Sequence, residues 1–126
     1  MLGENDISYL VRGATFKIYN HLGPGLLESV YESALAHELR KEGCEVKTQV
    51  QLPVKYDEVY LEVGFRIDLL INEKVIVEIK SVENILDVHY KQILTYLRLT
   101  GCKLGLLINF NSIDISKSIY RIANNI

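Results

Sequence analysis

The chain is short of cysteine, of long apolar runs and of surplus positive charge, and each shortage narrows what it can be. Its two cysteines, Cys44 and Cys102, lie far apart in neither a metal-ligand nor a C-x-x-C redox spacing. They read as reduced thiols packed inside a cytoplasmic protein. No apolar run approaches the ~18 residues of a membrane-spanning helix, so no membrane association is expected. Met1-Leu2-Gly3-Glu4-Asn5-Asp6 is acidic and lacks the basic and apolar regions of a secretory signal, and none is expected. Lysine and arginine total 14 against 16 acidic residues, a net charge of −2. That argues against an autonomous, non-specific nucleic-acid binder, which is normally basic. It leaves room for an enzyme whose acidic site is offset by divalent cations. No repeat, low-complexity tract or linker interrupts the 126 residues, of which 48% are hydrophobic and 24% charged. One domain over residues 1–126 is expected, with one sizeable core.

What is there begins with helices. A cap at Asp6 or Ser8 predicts a first helix to about His21, with Ile7, Leu10, Val11, Ala14 and Ile18 on one stripe. His21-Leu22-Gly23-Pro24-Gly25 is a turn; it lacks the lysine and strand context of a phosphate-binding loop. A second helix, about Leu26 to Lys41, sets Leu27, Val30, Tyr31, Ala34, Leu35 and Leu39 at the helical period, and Gly43 ends it. Glu28 flanks that stripe, one turn before Tyr31, whose ring is expected in the core with its hydroxyl hydrogen-bonded.

From Glu45 the period changes to two. Val46, Thr48, Val50 and Leu52 alternate with polar residues until Pro53, which marks an edge or a bulge. After a turn at Tyr56-Asp57-Glu58, a long strand runs from about Val59 to Ile71. Val59, Leu61, Val63, Phe65, Ile67 and Leu69 are expected on one face and Tyr60, Glu62, Gly64, Arg66, Asp68 and Leu70 on the other. Asn72-Glu73-Lys74 is short enough only for an antiparallel hairpin into Val75–Lys80. A third helix, about Asp87 to Thr100, carries Tyr90, Ile93, Leu94 and Leu97 as its core stripe, with His89, Gln92 and Tyr96 beside it. Lys103–Phe110 reads as a buried strand and Ile115–Asn124 as a short final helix. The order α-α-β-β-β-α-β-α predicts an α/β or α+β domain with a mixed sheet.

The chain is organised around Val75-Ile76-Val77-Glu78-Ile79-Lys80. Its apolar, β-branched residues suit a strand buried on both faces, yet it contains Glu78 and Lys80. Side chains two apart share a face, so those two charges project together beside Ile76. Buried charges are costly unless paired or holding a metal. Asp68 lies on the strand expected to pair with this one. Two carboxylates on adjacent strands are oxygen ligands suited to Mg²⁺ or Mn²⁺. A lysine on the same face could orient or deprotonate water, or stabilise developing phosphate charge. That set suits phosphodiester hydrolysis.

Asp68…Glu78-Ile79-Lys80 (D-x9-E-x-K), followed by a helix bearing Gln92 and Tyr96, resembles the PD-(D/E)XK nuclease superfamily. Gly25-Leu26-Leu27-Glu28-Ser29-Val30-Tyr31 further resembles the signature of the GxxExxY proteins grouped within it. The likeness continues through Phe65–Ile71, Val77–Lys80, Gln92–Leu97 and Gly105–Phe110, and five segments in order are more specific than any one. The resemblance implies a restriction-endonuclease-like αβββαβ core, in agreement with the element order. It implies a Mg²⁺- or Mn²⁺-dependent nuclease acting on nucleic acid, DNA foremost. Asp68 and Glu78 would bind the metal with the backbone carbonyl of Ile79, Lys80 would position the water, Glu28 would complete the acidic site, and Gln92 and Tyr96 would line it. Ile67 stands where the superfamily motif has its proline.

Blander readings stand beside these. Glu78 and Lys80 could be a structural ion pair, Asp68 a surface strand residue, Glu28 and Gln92 ordinary helix positions, and His89 a helix-start residue. A non-catalytic module that retains the fold to bind nucleic acid or protein, and a metal-using hydrolase or transferase acting on a small phosphorylated molecule, are the alternative functions. One site cuts one strand at a time, so double-strand cleavage needs a homodimer or another partner, with the Val59–Leu69 strand as a pairing edge.

Overall fold

The computed structural model describes residues 1–124, apart from the side chains of residues 62 and 63, so the faces expected for Glu62 and Val63 lie outside the described residues. In chain order the elements are α1 (Glu4–Leu22), α2 (Glu28–Lys41), β1 (Val46–Tyr56), β2 (Val59–Ile71), β3 (Val75–Lys80), α3 (Asp87–Thr100), β4 (Leu104–Asn109), a 3₁₀ turn (Ile115–Lys117) and β5 (Ile119–Ala123). The strands form one sheet in the order β1-β2-β3-β4-β5, parallel only between β3 and β4. A βαβ crossover through α3 is what makes that one pair parallel. The architecture is α+β and restriction-endonuclease-like, as expected.

The sheet separates two cores. On one face α1 and α2 bury Ile7, Val11, Tyr31, Leu35 and Leu39 against Leu69, Ile71, Val75, Val77, Ile79, Leu106 and Ile108. On the other, α3 buries Ile93, Tyr96 and Leu97 against Ile67, Leu70 and Ile76. Gly105 lets α3 settle onto β4: a Cβ there would stand 2.8 Å from Ile93 Cδ1. β3 and β4 are buried on both faces, which is why they read as continuous apolar runs.

Several expectations need correction. Helix α1 starts at Glu4, before Asp6 and Ser8, because Asp6 reaches back to accept the Gly3 N–H at 2.9 Å. Helix α2 starts at Glu28, since the Leu26 N–H is held outside the helix by the Tyr31 hydroxyl at 3.0 Å. Leu27 is therefore the extended N-cap and 75% exposed, and Val30, about 100° around the helix from Tyr31, is exposed too. In α3 Tyr96 replaces Leu94 in the core stripe, and Tyr90 is half-buried. The expected final helix is a 3₁₀ turn followed by β5, paired antiparallel with β4 from Leu104↔Ala123 to Ile108↔Ile119. Ile119 packs on the α1–α2 core and Ile122 on the α3 core. Residues three apart on opposite faces are the signature of a strand; a helix would have placed them together.

The hairpin β1–β2 is longer than the rest of the sheet. It runs from Tyr56↔Val59 to Val46↔Ile71 with a register shift between Pro53 and Val54, as Pro53 on an outer strand predicts. Its tip, Asp57-Glu58, and the β2–β3 tip, Asn72-Glu73, have positive φ at both residues, the conformation of tight hairpin turns. Strand β3 pairs with β2 only from Leu69↔Val77 to Ile71↔Val75. Beyond that point the strands part, and the strict alternation expected for β2 fails: Ile67 joins the α3 core while Leu69 faces α1 and α2. Among the described residues, residues 59–68 of β2 form no pair with β3.

Candidate active site

The fork where β2 leaves β3 is where Asp68 and Glu78 meet. The backbone ladder is replaced there by side chains. The Asp68 N–H donates to Glu78 Oε2 at 2.7 Å, and the Ile79 N–H donates to Asp68 Oδ2 at 2.9 Å. Each carboxylate so satisfies the other strand's backbone with one oxygen. The pairing that a strand would have supplied is exchanged for two acids held side by side. The Ile79 carbonyl lies on the same edge of β3 as its N–H, facing the fork.

Glu78 is only 3% exposed. Burial, followed by the nearby Asp68 charge, pushes its carboxyl up to about 8 against the bond from the Asp68 N–H and the attraction of Lys80. Asp68, half-buried, is raised as well, chiefly by burial; Lys80 and the Ile79 N–H pull it down and Glu28 pushes it up. The surroundings thus offset less charge than two ionised carboxylates would carry, and without a cation Glu78 keeps its proton near neutral pH. Lys80 acts on both carboxylates through space yet takes part in none of the ion pairs among the described residues. The structural ion pair with Glu78 is not formed, and among the described residues the half-buried Lys80 makes no ion pair.

Glu28 arrives from the first turn of α2. Its Oε2 accepts the Ser81 N–H at 3.0 Å, just past Lys80, while the Ser81 hydroxyl donates to the Leu26 carbonyl at 2.8 Å. Two bonds thus tie the start of α2 to the end of β3. The Gly25–Tyr31 segment owes its shape to Tyr31, whose hydroxyl donates to the Gly23 carbonyl at 2.6 Å and accepts the Leu26 N–H, with its ring stacked on Phe110 at 4.1 Å. Gly25 has φ +90°, a conformation that favours glycine.

Of the residues singled out by sequence, Asp68, Glu78, Ile79, Lys80 and Glu28 converge at the fork. Gln92 is half-buried on α3 and makes no hydrogen bond to them among the described residues. Tyr96, one turn on, is structural: its hydroxyl donates to the Arg66 carbonyl at 3.0 Å. Burial first, then Glu78, pushes that phenol up to about 12. His89 accepts the Leu86 N–H through Nδ1 at 2.9 Å, closing the start of α3. Asn109 pins the loop after β3 through bonds to the Val82 N–H and carbonyl.

Two residues were missed. Glu32, one turn beyond Glu28 on α2, lies close enough for its charge to raise Glu78. Gln49 on β1 donates through Nε2 to Glu32 Oε1 at 2.5 Å and stands 3.5 Å from Asp68 Oδ1. The i, i+4 spacing of Glu28 and Glu32 was a usable signal.

Among the described residues no three His, Cys, Asp or Glu side chains stand as a ready-made metal group. What the fork offers is two carboxylates and a carbonyl. That donor set is all oxygen, suited to a hard divalent cation that keeps several waters and takes further ligands from substrate phosphates. Among the described residues no helix is long and apolar enough to cross a membrane.

The sequence model of the PD-(D/E)XK nuclease superfamily matches residues 5–122, nearly the whole chain. No curated protein and no solved structure matches it. Nucleases of that superfamily generally use divalent metals. The element order, the fork of β2 and β3 with Asp68, Glu78 and Lys80 upon it, and this match lead to one conclusion: the chain belongs to the PD-(D/E)XK nuclease superfamily.

Proposed function

We propose that this protein is a metal-dependent nuclease hydrolysing phosphodiester bonds in DNA, within the GxxExxY group. The observation that carries the reading is the fork: Glu78 buried beside Asp68, with a lysine near both and paired to neither. Ionising both carboxylates against one ammonium would leave an uncompensated negative charge in a poorly solvated place, which a divalent cation offsets as it displaces the proton that Glu78 otherwise holds.

In this reading Asp68 and Glu78 hold Mg²⁺ or Mn²⁺ through the oxygens not spent on backbone N–H groups, with the Ile79 carbonyl. The bound ion would supply Lewis-acid polarisation of the phosphoryl group and a more acidic water. Lys80 orients that water and meets charge developing on the phosphate. Glu28 fixes the α2 end of the site through Ser81. Gln92 faces substrate from α3. The single domain over 1–126, the cytoplasmic setting and a pair of copies for cutting both strands of a duplex belong to the same proposal. The buried, unbridged Cys44 and Cys102 agree with a reducing setting.

The test is a cleavage screen over single- and double-stranded DNA and RNA with Mg²⁺ or Mn²⁺, comparing the parent with Lys80→Ala. A loss of at least about 100-fold in rate at unchanged melting temperature is expected. Equal cleavage by the two would refute the assignment. Specific binding without cleavage under every metal would favour the non-catalytic module.

A further inference from the structure

Among the described residues, five other than glycine have positive φ, and four of them, Asp57, Glu58, Asn72 and Glu73, form the tips of the two hairpins. The fifth, Gln49 at φ +53°, lies inside β1. L-residues seldom adopt this conformation, and glutamine lacks the short side chain that lets asparagine tolerate it. Something must hold it there. The pairs Thr48↔Leu69 and Val50↔Ile67 flank it, so Gln49 faces the position of Asp68, where no backbone pair is formed.

Its side chain lies between two acids. Nε2 donates to Glu32 Oε1 at 2.5 Å and, at 3.5 Å, to Asp68 Oδ1. Between two carboxylates only the nitrogen end of an amide makes sense, since its oxygen would meet two acceptors. Asp68 Oδ2 is already occupied by the Ile79 N–H. Gln49 therefore acts on the other oxygen, the one left for a cation.

We propose that Gln49, anchored by Glu32, is a positioning residue that sets the free oxygen of Asp68 for the metal. The proposal rests on the metal-dependent reading of the fork. It explains why a strand spends a strained residue opposite Asp68, and what Glu32 does one turn from Glu28. Neither residue touches the reacting atoms. Partners that orient a metal ligand commonly change metal affinity about 10- to 100-fold when removed.

Four proteins separate positioning from bracing: the parent, Asp68→Asn, Gln49→Gly, and the exchange Gln49→Glu with Glu32→Gln. Glycine relieves the positive φ and deletes the amide. The exchange restores a hydrogen bond between positions 32 and 49 but leaves no donor for Asp68. Mn²⁺ is titrated into each, with melting temperature followed in parallel. Gln49→Gly is expected to melt no lower than the parent yet bind Mn²⁺ about 10-fold more weakly, and the exchange should not recover that loss. Parental affinity in Gln49→Gly, or full recovery in the exchange, would overturn the positioning role and leave the metal reading intact. If the parent binds Mn²⁺ no better than Asp68→Asn, the metal reading fails and the positioning role with it.

Discussion

At the scale of single residues, Tyr31 links the sequence motif to the site. One hydroxyl serves both the Gly23 carbonyl and the Leu26 N–H, while the ring stacks on Phe110 at the end of β4. The spacing Gly25-x-x-Glu28-x-x-Tyr31 is thus a local structure: a glycine to turn the chain, an acid in the first helical turn, and a tyrosine one turn later reaching back to the loop. Tyr31→Phe keeps the ring and strands two backbone groups, so it should cost about 1–3 kcal/mol in a denaturant melt. No change in stability would mean that the loop holds itself. The sequence already displayed this motif and the D-x9-E-x-K spacing. It concealed Gln49. Counting back from the Asp57-Glu58 turn places Gln49 opposite Arg66, and only the two-residue shift between Pro53 and Val54 brings it to Asp68. A bulge of that size is set by packing and turn geometry, which single-residue preferences do not encode.

At the scale of elements, periodicity located every helix and strand up to β4, since each repeats its apolar residues at the period of its own structure, even β1, of which only Val46 is buried. It failed at β5, a short segment whose two isoleucines suit either period until β4 offers it an edge to pair with. It also erred on β2, where strict alternation gives way at the fork because Asp68 and Glu78 take over the backbone bonds. The close seat of α3 on β4 depends on Gly105. Gly105→Val would force Ile93, which is fully buried, out of its place. About 1–3 kcal/mol of destabilisation is expected, read from chemical denaturation. Unchanged stability would show that α3 can slide away from the sheet without cost.

At the scale of the whole molecule, the buried acid couples folding to pH. The carboxyl of Glu78 rises from an ordinary 4.5 to about 8 in the fold. The native state therefore holds a proton that the unfolded chain has released between those values. Stability from this group is full below about 4.5 and is lost as pH rises through about 8. Asp68 and Glu32, both raised mainly by burial, act in the same direction. In chelator, the melting temperature should fall from pH 5 to pH 8. Glu78→Gln, which keeps an acceptor for the Asp68 N–H without a charge, should flatten that fall and melt higher than the parent at pH 8. A parent that gains stability over the same range would contradict the buried-charge account.

The central claim is that Asp68 and Glu78 form a divalent-metal site. Its most direct test is calorimetric titration of Mn²⁺ into the parent and into Glu78→Gln, each with and without a short DNA duplex. The account predicts saturable binding by the parent, strengthened by the duplex, whose phosphates complete the ion's shell, and loss of that binding in Glu78→Gln. Indistinguishable heats from the two proteins, with duplex present, would contradict it.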